Sequence, residues 1–216
     1  FAAYRANFLI VLINPVSAEK EKLFIIQNSG ANFFLSEKKM FNKSFNKIGN
    51  FYLFSFNNKN KNIQKKDRFL IYTSGTTSKP KGVILTDDSI SSNIKAISLD
   101  LKLKNNDTSI IFSPPNYAMA ISQIFTYMFN GMSFIFVSTG LKFSNSIINS
   151  IIAHKINILN ISISALRILK PILKKNSLFL KHVRIVMAGG MQMTNNDLSN
   201  YKKFFPRSNI VNFYGC

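Results

Sequence analysis

Short apolar runs alternate with amphipathic segments along most of the chain, and this alternation constrains the fold more than any other feature. Apolar runs of about four to eight residues are typical of buried strands, whereas the segments between them have helical spacing. Because a helix between two strands returns the chain to the same end of the sheet, such strands pair in parallel. The sequence therefore predicts an α/β fold with mostly parallel sheets covered by helices. We expect strands at 8–13, 31–36, 67–73, 108–112, 133–137, 156–161, 183–187 and 209–213, helices at 17–30, 118–129, 144–154, 164–174 and 194–204, and an irregular polar stretch at 36–67.

Two of the predicted helices carry capping signals. Ser17 is predicted to be the N-cap of the first helix, and Gly30 lies just beyond its last turn. Thr86, after a loop that runs to Gly82, is placed to cap a further helix whose first turn contains Asp87. An acidic residue there favours the helix because it faces the positive end of the helix dipole.

The chain carries a formal net charge of +19, from 28 basic and 9 acidic residues. Such a charge is typical of proteins that bind nucleic acid or an anionic surface. The basic residues are mostly lysines scattered among Asn, Ile and Phe, however, and few arginines are present for direct base readout. We therefore expect no specific nucleic-acid partner. A basic nucleic-acid-binding module stays the weaker alternative, and it would require a steep salt dependence of binding.

No charged residue occurs from Thr108 to Leu141, which is a feature of membrane-spanning segments. A span needs about 20 mostly apolar residues. Prolines, asparagines, a glutamine and a glycine interrupt this stretch, so we expect no transmembrane segment. The single Cys216 excludes a disulfide framework, and no Cys/His cluster has the spacing of a zinc site, so no metal ligands are predicted.

The two ends of the sequence have no features of a natural start or stop. The chain opens FAAYRANFLIVLINP, without Met and without the basic region or cleavage site of a signal peptide, and it ends NFYGC. We interpret it as a fragment of a longer protein.

One loop carries the strongest functional signal: LIYTSGTTSKPKGV, residues 70–83. It follows an apolar strand and leads into the helix capped by Thr86. Small residues let backbone N–H groups approach an anion, hydroxyl groups add donors, and two lysines supply positive charge for a polyphosphate. The spacing of a Walker A loop is absent. We interpret the segment as a phosphate-binding loop, with a flexible Ser/Thr/Gly linker as the alternative.

This segment resembles the phosphate-loop signature of the adenylate-forming superfamily, which includes acyl- and aryl-CoA synthetases, luciferases and the adenylation domains of peptide synthetases. The common form is YTSGTTGKPKGV, from which YTSGTTSKPKGV differs only by Ser78. Three further segments resemble family motifs in the same order: SPPNYAMAISQ (113–123) its substrate loop, RIVMAGGMQM (184–193) its strand and Gly-Gly turn, and NIVNFYGC (209–216) the start of its adenine motif YGxTE. The resemblance covers essentially the whole chain. It implies that 1–216 is part of the large AMP-binding domain, with the small C-terminal domain absent.

The resemblance implies a ligase that uses ATP and Mg²⁺ to convert a carboxylic acid into acyl-AMP. The expected acceptor of the acyl group is CoA. An adenylation domain that loads a carrier protein is the alternative, and a truncated nucleotide-binding remnant without catalysis is a further one. ATP use and the single cysteine suit a cytoplasmic location.

The acid is expected to be a fatty or aryl acid rather than an amino acid. A pocket for an amino acid needs a carboxylate to pair the substrate ammonium, since an unpaired buried charge is costly. The peptide-synthetase branch places an Asp close to the position of Tyr117, whereas 108–141 contains no acidic residue. Tyr117 is therefore expected to close an apolar acyl pocket, although the same residue without the motif would have no particular role.

Carried over residue by residue, the resemblance implies two groups of ATP-binding residues. The catalytic residues are expected beyond Cys216, so the fragment alone is expected to be inactive. Asp87 departs from the family pattern, because it stands where a Thr-His pair is common after the GVxL stretch. The phosphates would be held by Thr73, Ser74, Gly75, Thr76, Thr77, Ser78, Lys79 and Lys81, and adenine by Gly189, Gly190, Met191, Asn212, Phe213, Tyr214 and Gly215, with Tyr214 stacking on the ring.

Overall fold

The structure, a computed structural model, describes residues 2–59, 63–73, 80–137, 145–176 and 180–214. The chain divides into two compact units, one of Phe1–Ser92 with Pro115–Ala118 and one of Asn93–Pro114 with Met119–Cys216. In chain order the elements are α1 Ala2–Arg5, β1 Ile10–Leu12, α2 Glu19–Ser29, β2 Phe33–Ser36, β3 Asn46–Ile48, β4 Phe51–Ser55, β5 Asp67–Thr73, β6 Lys81–Thr86, α3 Asp87–Asp100, β7 Thr108–Ile111, α4 Ala118–Phe129, β8 Ser133–Phe136, α5 Asn145–Ala153, β9 Ile158–Ser162, α6 Ile163–Asn176, β10 Ile185–Gly189, α7 Asn195–Phe204 and β11 Asn209–Phe213.

The first unit contains two three-stranded sheets. In one, β5 lies between β1, to which it is parallel, and β6, to which it is antiparallel. In the other, β4 lies between β2 and β3 and is antiparallel to both. A cluster of aromatic rings covers one face of this second sheet: the Phe41 ring lies edge-on to Phe34 and Phe54, at centroid distances of 5.3 and 5.5 Å.

The prediction of an irregular stretch at 36–67 is wrong, because β3 and β4 lie within it. Strand β3 (NKI) has no apolar run, and the apolar run FYLFS of β4 stands within a stretch rich in Asn and Lys, which hid its signal. The rings of Phe41 and Phe45 contact Phe54 of β4. The loop prediction up to Gly82 is also too long, since β6 begins at Lys81. The GVILT run is part of β6 and pairs with β5.

Of the helix caps, two predictions are confirmed and one is wrong. Gly30 ends α2 with the left-handed φ of 75° that glycine adopts without strain. Thr86 caps α3, since its Oγ1 accepts a hydrogen bond from the Ser89 N–H at 3.2 Å. Ser17 is not the N-cap of α2: the helix begins two residues later, after Ala18, and no side chain caps it.

The second unit contains a five-stranded sheet of order β11-β10-β9-β7-β8, in which every neighbouring pair is parallel. Alternate residues of its strands enter two cores, one on each face. Val186 and Ala188 of β10 pack in the core that includes α5, α6 and α7, whereas Ile185 and Met187 pack in the core that includes α4. The predicted α/β fold with a parallel sheet covered by helices is therefore confirmed.

The strand order of this sheet reverses between β7 and β9. The chain runs from β7 to the edge strand β8, and then returns to β9 on the other side of β7 before continuing to β10 and β11. In open α/β sheets, ligands bind outside the carboxyl ends of the strands at such a reversal. The topology thus indicates where in this unit a binding site is to be sought.

An ion pair with a buried carboxylate links the starts of two strands at the opposite, amino edge of the sheet. Arg184, just before β10, places its Nη2 atom 2.5 Å from Oδ2 of Asp107, just before β7. Asp107 also accepts hydrogen bonds from the Lys104 N–H at 2.8 Å and from Nδ2 of Asn157 at 3.0 Å. The Asp107 side chain is only 2% exposed and that of Arg184 is 33% exposed, so a buried carboxylate ties the amino edge of the sheet together.

Within the described part of the chain, no helix combines the length and the apolar character needed to cross a membrane.

Candidate functional site

The tip of the hairpin formed by β5 and β6 carries two of the residues predicted to bind phosphate. Thr73 is the last residue of β5 and pairs directly with Lys81, the first residue of β6. Paired residues of antiparallel strands lie on the same face of the sheet, and both side chains are exposed here. A hydroxyl donor and an ammonium group therefore flank the loop side by side. The other predicted phosphate-binding residues, Ser74, Gly75, Thr76, Thr77, Ser78 and Lys79, lie outside the described residues.

The carboxyl edge of the parallel sheet gathers most of the residues predicted to bind adenine. Gly189 is the last residue of β10 and lies between Ser162 of β9 and Phe213 of β11 on the same rung. A Cβ atom on Gly189 would stand only 2.6 Å from Cζ of the Phe213 ring. The missing side chain is thus what allows that ring to lie over the β10 backbone.

The residues after Gly189 form an open turn. Gly190 has a φ of 86°, a conformation that side-chain-bearing residues rarely adopt, and an added Cβ would find its nearest neighbour 3.8 Å away, at Ser162. Met191 is 45% exposed, and its sulfur accepts a hydrogen bond from Nη1 of Arg167 at 3.3 Å. Backbone and side chain are therefore accessible to a ligand at this edge.

The end of β11 supplies the aromatic part of the same edge. The Tyr214 side chain is 95% exposed, which leaves both faces of its ring available for stacking. Asn212 is also exposed but pairs with Ala188, one rung inside the pair formed by Gly189 and Phe213. Gly215 lies outside the described residues. The structure thus brings Gly189, Gly190, Met191, Phe213 and Tyr214 together, whereas their role in adenine binding stays a prediction.

A carboxylate lies close to the Gly-Gly turn but is occupied by structural contacts. Oδ2 of Asp197 lies 2.6 Å from Nη2 of Arg167 and accepts hydrogen bonds from the N–H and the hydroxyl of Thr194, which caps α7. The Arg167 guanidinium, with help from the Thr194 donors, holds the pKa of Asp197 well below its ordinary value. Asp197 is therefore an anion that fixes Arg167 and α7.

The residue predicted to close the acyl pocket lies in the other unit. Tyr117 stands in the turn before α4, within Pro115–Ala118, and its side chain is 54% exposed. The structure therefore does not place Tyr117 in the unit that carries Gly189 and Tyr214. Its role in the acyl pocket stays a prediction.

The whole chain, residues 1–216, matches the family model described as AMP-binding enzyme. The chain belongs to this family. It is 22% identical to zwittermicin A synthase ZmaJ of Bacillus cereus over an alignment that covers 100% of this chain and 44% of ZmaJ. The chain thus spans less than half the length of that relative.

Two solved structures show that the fold is that of the N-terminal domain of adenylate-forming enzymes. The N-terminal subdomain of Klebsiella oxytoca NpsA, in complex with 3-hydroxybenzoyl-AMSN, has a TM-score of 0.77 and 17% identity, over 100% of this chain and 55% of that chain. O-succinylbenzoate coenzyme A synthetase MenE of Bacillus subtilis, in complex with ATP and a magnesium ion, has a TM-score of 0.55 and 24% identity, over 63% of this chain and 28% of that chain. The resemblance to adenylate-forming enzymes is confirmed.

Two buried polar side chains are not among the site residues that the sequence predicts. Asn160 of β9 and Gln123 of α4 are 6% and 5% exposed, and neither Oδ1 of Asn160 nor Oε1 of Gln123 has a hydrogen-bond partner among the described residues. Asn160 pairs with Met187, two residues before Gly189. The signal that could have found it is an Asn inside the otherwise apolar strand ILNIS.

Among the described residues, no group of at least three His, Cys, Asp or Glu side chains could hold a metal ion.

Proposed function

We propose that this protein activates a carboxylic acid with ATP, forming acyl-AMP and pyrophosphate, and then transfers the acyl group to the thiol of CoA. The observation that carries the proposal is the match of all 216 residues to the AMP-binding enzyme family. In the whole protein, residues 1–216 would form part of the large domain. The catalytic residues and a small C-terminal domain would lie beyond them, so residues 1–216 alone would not complete the reaction. ATP use suits the cytoplasm.

The residues at the tip of the hairpin formed by β5 and β6 have the chemistry that the phosphates of ATP require. The carboxylate and the α-phosphate that it attacks are both anionic, so the site must supply positive charge and hydrogen-bond donors at the phosphates. The Lys81 ammonium and the Thr73 hydroxyl, adjacent at the hairpin tip, would provide both. The Mg²⁺ ion that accompanies ATP in the MenE complex would add positive charge at the phosphates. Residues 74–79 would contribute further donors on the basis of their motif.

The adenosine part of ATP would bind at the carboxyl edge of the five-stranded sheet. Gly190 leaves its backbone open to close approach, and the exposed Tyr214 ring offers a stacking face for adenine. Gly190 follows β10, which neighbours β9 at the reversal of strand order, where ligands of open α/β sheets bind, and Tyr214 follows the next strand, β11. Gly189, Met191, Asn212, Phe213 and Gly215 would complete this side of the site.

The acid would be an uncharged fatty or aryl group rather than an amino acid. Residues 108–141 contain no carboxylate that could pair a substrate ammonium, and Tyr117 is a neutral aromatic residue. The names of the two solved relatives are in keeping with an aryl acid, since NpsA holds a 3-hydroxybenzoyl group and MenE is an O-succinylbenzoate coenzyme A synthetase.

CoA is the first candidate acceptor because MenE is a coenzyme A synthetase. A carrier-protein thiol is the second candidate, because the superfamily that the chain resembles also includes the adenylation domains of peptide synthetases. To separate them, the full-length protein would be given ATP, Mg²⁺ and an aryl acid with either CoA or a phosphopantetheinylated carrier protein. Formation of acyl-CoA supports the first, whereas acylation of the carrier alone refutes it.

The activation step is tested by trapping acyl-AMP with hydroxylamine, which yields a coloured hydroxamate. We expect the full-length protein to form hydroxamates from aryl or fatty acids and not from amino acids. Lys81→Ala should raise the KM for ATP at least about tenfold, equivalent to about 1.4 kcal/mol, whereas Lys20→Ala on α2 should not change it. Failure to form any hydroxamate from a broad acid panel would contradict the proposal.

A further inference from the structure

The base of the hairpin formed by β5 and β6 carries a cluster of contacts that the proposed function does not use. Nη2 of Arg68 lies 2.5 Å from Oδ2 of Asp87. The Tyr4 hydroxyl donates a hydrogen bond to Oδ1 of the same carboxylate at 2.8 Å, and the Arg68 guanidinium lies 5.7 Å from the centroid of the Tyr4 ring. Both carboxylate oxygens of Asp87 are therefore engaged.

This cluster is shielded from solvent on the strand side. The Arg68 side chain is 10% exposed and that of Asp87 is 32% exposed. Arg68 also donates to the carbonyl of Lys65 at 2.8 Å, and the Asp87 N–H donates to the carbonyl of Lys66 at 3.0 Å. Because charge pairs are stronger where water is excluded, this cluster holds the base of the hairpin more firmly than a surface pair would.

Arg68 points at Asp87 because β5 contains an irregularity at this point. The register of β5 against β6 shifts between Asp67, which pairs with Thr86, and Phe69, which pairs with Leu85. Arg68 is thus the extra residue of a β-bulge, and such bulges bend the strand and turn one side chain toward a new target. The bulge directs the Arg68 side chain toward Asp87, with which it forms the ion pair.

Beyond the bulge, the pairing is regular from Phe69 with Leu85 up to Thr73 with Lys81. A slip of one residue along an antiparallel pair moves every side chain of one strand to the other face. Between the end pairs of this hairpin, β5 has five residues (68–72) and β6 has four (82–85). Without the bulge, the pairing of Asp67 with Thr86 at the base and that of Thr73 with Lys81 at the tip could not both be kept.

We propose that Asp87 and Arg68 are positioning residues, which fix the register of β5 against β6 and so place Lys81 beside Thr73 for the phosphates of ATP. This inference rests on the proposed function. The Asp87 carboxylate secures the bulge by pairing with Arg68, the extra residue of β5.

A second ion pair on the same hairpin provides a matched control. Nζ of Lys66 lies 2.6 Å from Oδ2 of Asp88. Lys66 is two residues before Arg68, and Asp88 directly follows Asp87. These two side chains are 67% and 72% exposed, so their pairing contributes little to holding the strands. Asp88→Asn therefore removes an equal charge at the start of the same helix without disturbing the bulge.

The test compares Asp87→Asn, Arg68→Met and Asp87→Glu with Asp88→Asn in the full-length protein. We expect Asp87→Asn and Arg68→Met to raise the KM for ATP about tenfold, with the KM for the acid changed less than about twofold. Asp87→Glu, which keeps the charge, should recover most of the affinity for ATP. Asp88→Asn should have the same KM for ATP as the wild-type protein. An unchanged KM for ATP in Asp87→Asn, with only a lower Tm, would overturn the proposal.

Hydrogen exchange separates this inference from the proposed function. In Asp87→Asn, the amides of β5 and β6 between Phe69 and Lys81 should exchange faster than in Asp88→Asn, whether or not the protein uses ATP. Equal exchange in the two variants would overturn the register argument. If hydrogen exchange differs between the two variants but the wild-type protein forms no acyl-AMP, the proposed function is wrong. The role of the ion pair in fixing the register then still holds.

Discussion

The substitution Gly189→Ala tests the packing at the carboxyl edge of the sheet. The added Cβ would lie 2.6 Å from Cζ of Phe213 and 2.7 Å from both of its Cε atoms. Carbon atoms pack at about 3.5–4.0 Å, so the ring would have to retreat by about 1 Å. Gly189 itself does not have a positive φ, so alanine fits its backbone and the ring contact is the source of the strain.

The expected cost follows from two opposing effects. Overpacking of this kind costs about 1–3 kcal/mol, whereas replacing glycine by alanine restricts the unfolded chain and returns about 0.4–1 kcal/mol. We expect a net loss of about 1–2 kcal/mol in the free energy of unfolding, or roughly 2–8 °C in Tm for a chain of this size. Denaturant unfolding followed by circular dichroism would measure it.

A double-mutant cycle identifies the cause of the loss. Phe213→Leu removes Cζ and both Cε atoms, so Gly189→Ala should cost nothing in that background. Gly190→Ala is the matched control: its φ of 86° should cost about 1–2 kcal/mol through backbone strain, with or without the Phe213 ring. The same cost for Gly189→Ala in both backgrounds would refute the argument that Phe213 lies over Gly189.

Three further predictions concern the second unit. Arg184→Met should lower the free energy of unfolding by about 3 kcal/mol, since it leaves the buried carboxylate of Asp107 without its ion pair, and denaturant titration measures the loss. Asn160→Leu should raise the Tm, because it removes a buried acceptor that has no partner among the described residues, and a fall in Tm would contradict this. Because Arg167 lowers the pKa of Asp197, the stabilisation from that carboxylate is complete above about pH 5 and is lost as the pH falls below about 4. Melting curves from pH 5 to 2 should therefore decline less steeply for Asp197→Asn.

The parts of the fold that the sequence predicted well are those with strong local signals. Strand β5, helix α4 and strand β11 begin and end at the predicted residues, because their apolar periodicity is bounded by polar residues, prolines or glycines. Strand β3 was missed because NKI has no apolar run, and β4 because its run FYLFS lies within a polar stretch. The contact of Phe54 in β4 with Phe34 is between residues far apart in the sequence. Ser17 was assigned as a cap from residue type alone, and the helix begins later at Glu19.

The candidate site was predicted from motifs, and its geometry required the structure. The motifs singled out Lys81, Gly189 and Tyr214, and the strand order explains why the last two share one edge. No local pattern indicates that Phe213 lies over Gly189 or that Arg68 reaches Asp87. Both contacts depend on the register between strands, which is fixed by pairing over a distance along the chain.

The measurement that tests the central claim most directly is the exchange of radiolabelled pyrophosphate into ATP by the full-length protein. Exchange requires reversible formation of acyl-AMP, so it reports the activation step without assuming an acceptor thiol. We predict exchange that depends on an added fatty or aryl acid and is strongly reduced by Lys81→Ala. If no acid in a broad panel of fatty, aryl and amino acids supports exchange in the folded full-length protein, the protein does not activate carboxylic acids and the account is wrong.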